Sequence, residues 1–211
     1  GLPANNALLW GSRGTGKSSL VKAILNEFAS EGLRLIEVDR HDLVDLPVIV
    51  DLLYDRSERF LIYCDDLSFE ASDPSYKALK VALDGTISAA GDNVLIYATS
   101  NRRHLMPETM QENREARAIE GEIHPGEAVE EKISLSDRFG LWQSFYPFSQ
   151  DEYLAIAAHW LARLGVAAPE GEEQEWRRAA LQWALARGSR SGRTAWQFAR
   201  DWAGRQGLES S

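Results

Sequence analysis

A five-stranded parallel α/β sheet flanked by helices, carrying a small all-α lid, is the fold predicted for this chain, and three observations predict it. Short apolar runs at 7–10, 59–64 and 94–99 have the composition of strands buried on both faces. Segments with helical spacing stand between them, and such alternation builds a parallel sheet. The first run leads directly into Gly11-Ser12-Arg13-Gly14-Thr15-Gly16-Lys17-Ser18, which matches the phosphate-binding pattern G-x-x-x-x-G-K-[ST].

That pattern sits where its chemistry needs it, between a strand and a helix. Downstream, Leu20, Val21, Ile24, Leu25 and Phe28 fall on one helical face. Glycines let the backbone curl so that its N–H groups face a phosphate chain, and the helix N-terminus adds a favourable dipole. Gly11, Gly14, Thr15, Gly16, Lys17, Ser18 and Ser19 are therefore the expected nucleotide-binding residues. Lys17 is placed to reach the β- and γ-phosphates, and Ser18 to hold Mg²⁺.

Further along, Gly32 stops the first helix and 33–39 reads as a second strand. Asp45-Leu46-Pro47 opens a short helix. The third strand ends in Asp65-Asp66, the Walker B position at a strand's carboxyl end. Asp73-Pro74 starts a helix expected over 75–86. A turn at 91–93 precedes the fourth strand. The polar stretch 101–132 is weakly periodic, with a helix expected over 107–118. Order returns at 133–140, and 141–148 reads as a fifth strand. Ser149 with Glu152 forms a capping box for the first of three helices, at 150–164, 172–187 and 193–203. Gly165 and Gly188 close the first two. Tyr153, Ile156, Trp160, Leu161, Trp176, Trp183, Trp196 and Trp202 mark their apolar faces, a small helical core rather than a base-stacking platform. Residues 1–148 are thus the expected nucleotide-binding domain, and 149–211 the helical lid.

Charge and cysteine usage narrow the class. The 211 residues carry 23 Lys and Arg against 32 Asp and Glu, a formal net charge of −9, which argues against tight nucleic-acid binding. One cysteine, Cys64 within an apolar run, offers no disulfide framework, so a reducing cytoplasm is expected. No run approaches the ~20 apolar residues of a membrane span. The chain begins almost at its first strand, as an excised piece of a longer protein would. His41, His104, His124 and His159 lack metal-ligand spacing.

The order of a P-loop, an Asp-Asp strand end, a strand ending in Thr99-Ser100-Asn101, an Asp137-Arg138-Phe139 and a helical appendage resembles the AAA+ ATPases over essentially the whole chain. More narrowly, LPANNALLWGSRGTGKSSL, CDDLSFE, YATSNRRHL, GEIHPGEAVEEKISLSDRFGLWQSFYPF and SGRTAWQFARDW are similar to a bacterial AAA+ family known only as a domain of unknown function. The Asp-Asp pair and the Arg-Phe-Gly phrase also resemble replication initiators and helicase loaders.

The resemblance implies that Asp65 binds Mg²⁺, directly or through water, and that Asp66 stands where most AAA+ proteins have a water-polarising glutamate. Aspartate is one methylene shorter, which implies slow hydrolysis; Glu70 is a nearby carboxylate. Asn101 matches sensor 1, which orients water and γ-phosphate. Arg138 matches the arginine finger that reaches a neighbour's site, with a surface ion pair to Asp137 or an acidic neighbour as the alternative. Arg193 matches sensor 2, which reports the γ-phosphate to the lid; Arg187, Arg190 and Arg200 lie close by, so a solvated face is the alternative.

These readings converge on an ATPase expected to bind Mg-ATP between its two domains and to act as a homo-oligomer (ring or filament) on a protein partner. A nucleotide-controlled switch, slow or inert in hydrolysis, is the second reading. A small-molecule kinase fits poorly because it needs neither Asn101 nor Arg138. The interval 39–59 lacks the aromatic-apolar-Gly phrase of threading unfoldases, which argues against processive unfolding.

Overall fold

Five parallel strands form the scaffold of the computed structural model, which describes residues 4–69, 73–84, 93–103, 105, 118–119, 122–123, 135–166 and 173–209. They are β1 (Ala7–Gly11), β2 (Leu33–Glu37), β3 (Arg59–Cys64), β4 (Val94–Ser100) and, further on, β7 (Leu141–Phe145). The order across the sheet is β2-β3-β4-β1-β7. Between β4 and β7 the pairs Ala118–Ile119 (β5) and Glu122–Ile123 (β6) make a separate two-stranded antiparallel ladder. The helix expected over 107–118 lies outside the described residues except for Ala118, and Glu70 lies outside them too.

The chain groups into two compact units, residues 1–11 with 17–144 and residues 12–16 with 145–211. In the first, α1 (Lys17–Phe28), α2 (Leu46–Leu53) and α3 (Pro74–Asp84) flank the sheet. Its core joins Leu8, Ile62, Cys64, Ile96 and Ala98 of the central strands to Leu46, Tyr76 and Leu79 of the helices. The helix starts follow their signals. Ser75 N–H bonds the Asp73 carboxylate at 3.0 Å, and Pro47 occupies the first turn of α2. Gly32 ends the 3₁₀ turn after α1 with φ +96°, a conformation that suits glycine. One expectation fails in part: α1 buries Val21, but Leu20 and Phe28 stay 40% and 44% exposed.

The second unit is built from α4 (Gln150–Arg163), α5 (Glu173–Ala186) and α6 (Gly192–Glu209). The capping box at Ser149 and Glu152 forms in both directions, at 3.2 and 2.7 Å. Gly165 and Gly188 follow the ends of α4 and α5 with positive φ. Tyr153, Leu161, Trp176 and Phe198 form a core of their own, and the Tyr153 hydroxyl donates to Ala180 O at 3.1 Å. Trp160 packs against it and meets the Trp196 ring at a tilt of 54°, with centroids 4.6 Å apart. The tryptophan stripe is thus spent on packing.

Candidate functional site

Parallel pairing decides where the chemistry gathers. Trp10 pairs with Ser100, and Cys64 with Ala98, so β1, β3 and β4 end at the same edge of the sheet. The next residues of the three strands are therefore neighbours: Lys17 and Ser18 at the start of α1, Asp65 and Asp66 after β3, and Asn101 after β4. Carboxyl ends of parallel strands are where such folds carry their ligands.

The side chains form one connected set. Lys17, only 8% exposed, donates its ammonium to Gly11 O at 2.8 Å and to Asn101 Oδ1 at 3.3 Å. Asn101 Nδ2 in turn donates to Asp66 Oδ1. Asn101 thus bridges the cation and the carboxylate assigned to water. Asp66 takes φ +49°, a left-handed conformation that aspartate tolerates better than most residues, and its N–H bonds Thr99 Oγ1 at 2.8 Å.

Asp65 is held more tightly still. Its Oδ1 accepts from Thr99 Oγ1 at 2.5 Å, Tyr63 Oη at 2.6 Å and Ser18 Oγ at 3.2 Å. Burial pushes the Asp65 pKa up, but these hydroxyl donors outweigh it and hold the group below its ordinary value. The same burial, with the neighbouring carboxylate, drives the Tyr63 phenol well above its usual range, so Tyr63 stays a donor. Neither Tyr63 nor Thr99 was singled out from sequence. The signal for Tyr63 was the pleat itself, since it stands two residues before Asp65 and so points to the same face; Thr99 comes beside Asp65 only through the register that pairs Cys64 with Ala98.

Ser18 and Asp65 fit Mg²⁺. A hydroxyl and a carboxylate oxygen 3.2 Å apart are the hard donors that this ion takes while keeping water and phosphate oxygens as its other ligands. Among the described residues no group of three or more His, Cys, Asp or Glu is placed to hold a metal.

The loop between β1 and α1 has the backbone that the motif demands, with Gly11, Gly14 and Gly16 all at positive φ. Thr15 Oγ1 braces it by donating to Ser12 O at 2.7 Å. Within the second unit the loop meets the start of α6. Gly192 N–H donates to Gly14 O at 2.8 Å, and a Cβ on Gly14 would lie 2.7 Å from Ser191 Cβ. Ser191 caps α6, its Oγ accepting from Thr194 N at 3.1 Å and pairing with Thr194 Oγ1 at 2.8 Å. Arg193 is exposed on the first turn of that helix, next to the loop. A cavity of about 740 Å³ also borders Ser12, Arg13 and Thr15, walled by Phe148, Leu181 and Leu185, within the usual range for small-molecule sites.

Two residues stand apart from this set. Ser19 is exposed on the first turn of α1. Arg138, anchored by the buried Phe139 beside it, makes an ion pair with Asp84 at 2.5 Å. The partner considered from sequence was Asp137 or an acidic neighbour; Asp84 lies 54 positions away in the chain. Cys64 is packed strand interior, and burial pushes its thiol up to about 12.

Comparison with solved structures gives the fold a name. The chain superposes on the AAA domain of FIGL-1 in complex with ADP with a TM-score of 0.59 and 15% identity, covering 94% of this chain and 60% of that one. A Thermotoga maritima RuvB mutant gives 0.53 and 13%, over 94% and 54%. The chain thus spans little more than half the length of these neighbours. No curated protein matches it in sequence. The architecture is that of an AAA+ P-loop NTPase domain, and since the model of the family described as "Protein of unknown function (DUF815)" matches residues 1–206, the chain belongs to that family.

Proposed function

We propose that this chain binds Mg-ATP and hydrolyses it slowly at an interface between subunits, so as to control or remodel a protein partner. Residues 1–148 serve as the nucleotide-binding domain and 149–211 as the lid. The observation that carries the reading is the linked set Lys17–Asn101–Asp66 beside Ser18–Asp65, two sequence-distant strand ends brought onto one phosphate-binding loop.

The backbone N–H groups of Gly14 to Ser18 cradle the phosphates, and Ser19 lies on the same helical turn. Lys17 exchanges its bonds to Gly11 O and Asn101 Oδ1 for phosphate oxygens. Ser18 and Asp65 hold Mg²⁺, which when bound neutralises charge on the β- and γ-phosphates. Asn101 then keeps one amide edge toward the γ-phosphate and the other on Asp66, which orients the attacking water. Arg193 and a neighbouring subunit's Arg138 offset charge on the phosphoryl group.

A specific observation favours the switch reading as the second one. Asp66 is already engaged by Asn101, and Arg138 by Asp84 of its own chain, so both groups must give up a partner before they can act. Calorimetry with Lys17→Ala tests the shared part: ATP binding is expected to vanish, and wild-type affinity in that variant would overturn both readings. Steady-state turnover measured against protein concentration separates them. A rate per molecule that rises with concentration supports the interface ATPase, and a flat, near-zero rate the switch.

A further inference from the structure

We propose that the outer face of α2 is a docking surface for a basic amphipathic segment of a partner protein, an assignment that stands independently of the nucleotide reading. α2 packs into the core by one face alone. Leu46 is fully buried, and Ile49, Val50 and Leu53 pack against the core. The opposite face is apolar as well. Val44, in the 3₁₀ segment Arg40–Asp45, and Val48 and Leu52 recur every fourth residue and are 45%, 59% and 72% exposed. Residues four apart share an α-helical face, so Val48 and Leu52 line up as one stripe, with Val44 exposed on the 3₁₀ segment just before it. A helix that packs on a single side ordinarily turns polar residues outward. Here the stripe adds nothing to the core, and contiguous exposed apolar surface marks interaction sites.

Charge selects the occupant. At 100° per residue, Asp45 and Asp51 project on the two sides of the stripe, and Asp55 lies past its end. All three are exposed. Over residues 39–58 there are six carboxylates (Asp39, Asp42, Asp45, Asp51, Asp55, Glu58) against two arginines. One of those, Arg40, is tied to Asp73 at 2.8 Å. An acidic rim around an apolar strip repels nucleic acid and anionic membranes. It also disfavours a second copy docked face to face, which would set rim against rim. A helix with apolar residues at i and i+4 flanked by lysine or arginine meets both features at once.

The experiment uses the full chain and three labelled peptides of about 16 residues with one common leucine face, flanked by lysine, serine or glutamate. Fluorescence anisotropy is expected to show micromolar binding of the lysine peptide at about 0.15 M salt, with the glutamate peptide at least about tenfold weaker. Val48→Ser/Leu52→Ser should lose binding by about tenfold while melting like the wild type, since both side chains are solvent-exposed. Asp45→Asn/Asp51→Asn should erase the preference for lysine over glutamate. Equal binding of the three peptides, or none, would overturn the proposal. So would sedimentation showing self-association that the serine double variant abolishes, or wild-type pelleting with vesicles containing phosphatidylserine.

Discussion

Asp65 shows how much of this site depends on neighbours that carry no motif. Three hydroxyls converge on its Oδ1, two of them from Tyr63 and Thr99, which are buried in the sheet. Tyr63→Phe is expected to cost about 1 kcal/mol, below the value for a fully buried charged bond because Asp65 keeps access to solvent. The pH dependence has a definite sign. A carboxylate whose pKa is lower folded than unfolded adds stability above its unfolded pKa, and that contribution disappears as pH falls through the folded value. The gap in melting temperature between wild type and Tyr63→Phe should therefore be widest near neutral pH and close in acid. A gap that is constant with pH would mean that the phenol only fills space. Thr99 ties both carboxylates, through Asp65 Oδ1 and the Asp66 N–H, so Thr99→Val should disturb metal-dependent nucleotide binding more than Tyr63→Phe does.

Among the elements, the loop and α6 form the pair whose contact is most exacting. Gly14 has φ +72°, and its missing Cβ leaves the room that Ser191 fills. Gly14→Ala would be strained twice, once in the backbone, where a left-handed conformation costs about 1–2 kcal/mol, and once against Ser191 Cβ at 2.7 Å. Loss of nucleotide affinity with a lowered melting temperature is the expected outcome, read by calorimetry and thermal denaturation. Ser191→Gly in the same background removes the second clash but not the first, and should recover part of the loss. If Gly14→Ala binds and melts as wild type, the loop is freer than its contact with Gly192 N–H implies. The same logic explains why sequence placed the capping box at Ser149 and the stops at Gly165 and Gly188 well: each depends on a few consecutive residues.

Taken whole, the molecule poses the question of whether hydrolysis needs a neighbour. Arginine fingers contribute about 10³–10⁵ in rate by meeting charge on the transferred phosphoryl group. Arg138→Ala is expected to leave ATP binding nearly unchanged and to remove most concentration-dependent turnover. Mixing it with Lys17→Ala should restore some activity, since each variant lacks what the other supplies. Because Asp84 holds Arg138 in its own chain, Asp84→Asn should raise turnover at low protein concentration. No complementation, with a rate per molecule independent of concentration, would place Arg138 outside the reaction. No helix among the described residues is long and apolar enough to cross a membrane.

Local signals carried a great deal of this protein. The P-loop, the Asp-Asp strand end, the parallel sheet and three C-terminal helices were legible because each depends on residues adjacent in the chain or on a short period of hydrophobicity. What lay beyond that reach had a common cause. The bridge from Lys17 through Asn101 to Asp66, the hydroxyls of Tyr63 and Thr99 on Asp65, the ion pair of Arg138 with Asp84, and the fit of Gly14 against Ser191 all join residues between 2 and 177 positions apart, most of them distant. Even the nearest, Tyr63 and Asp65, meet only because a strand turns alternate side chains to one face. Sequence alone determined which groups were present. The order β2-β3-β4-β1-β7 and its register decided which of the groups at the strand ends touch, because pairing between strands is set by packing across the whole sheet and by no single stretch of chain.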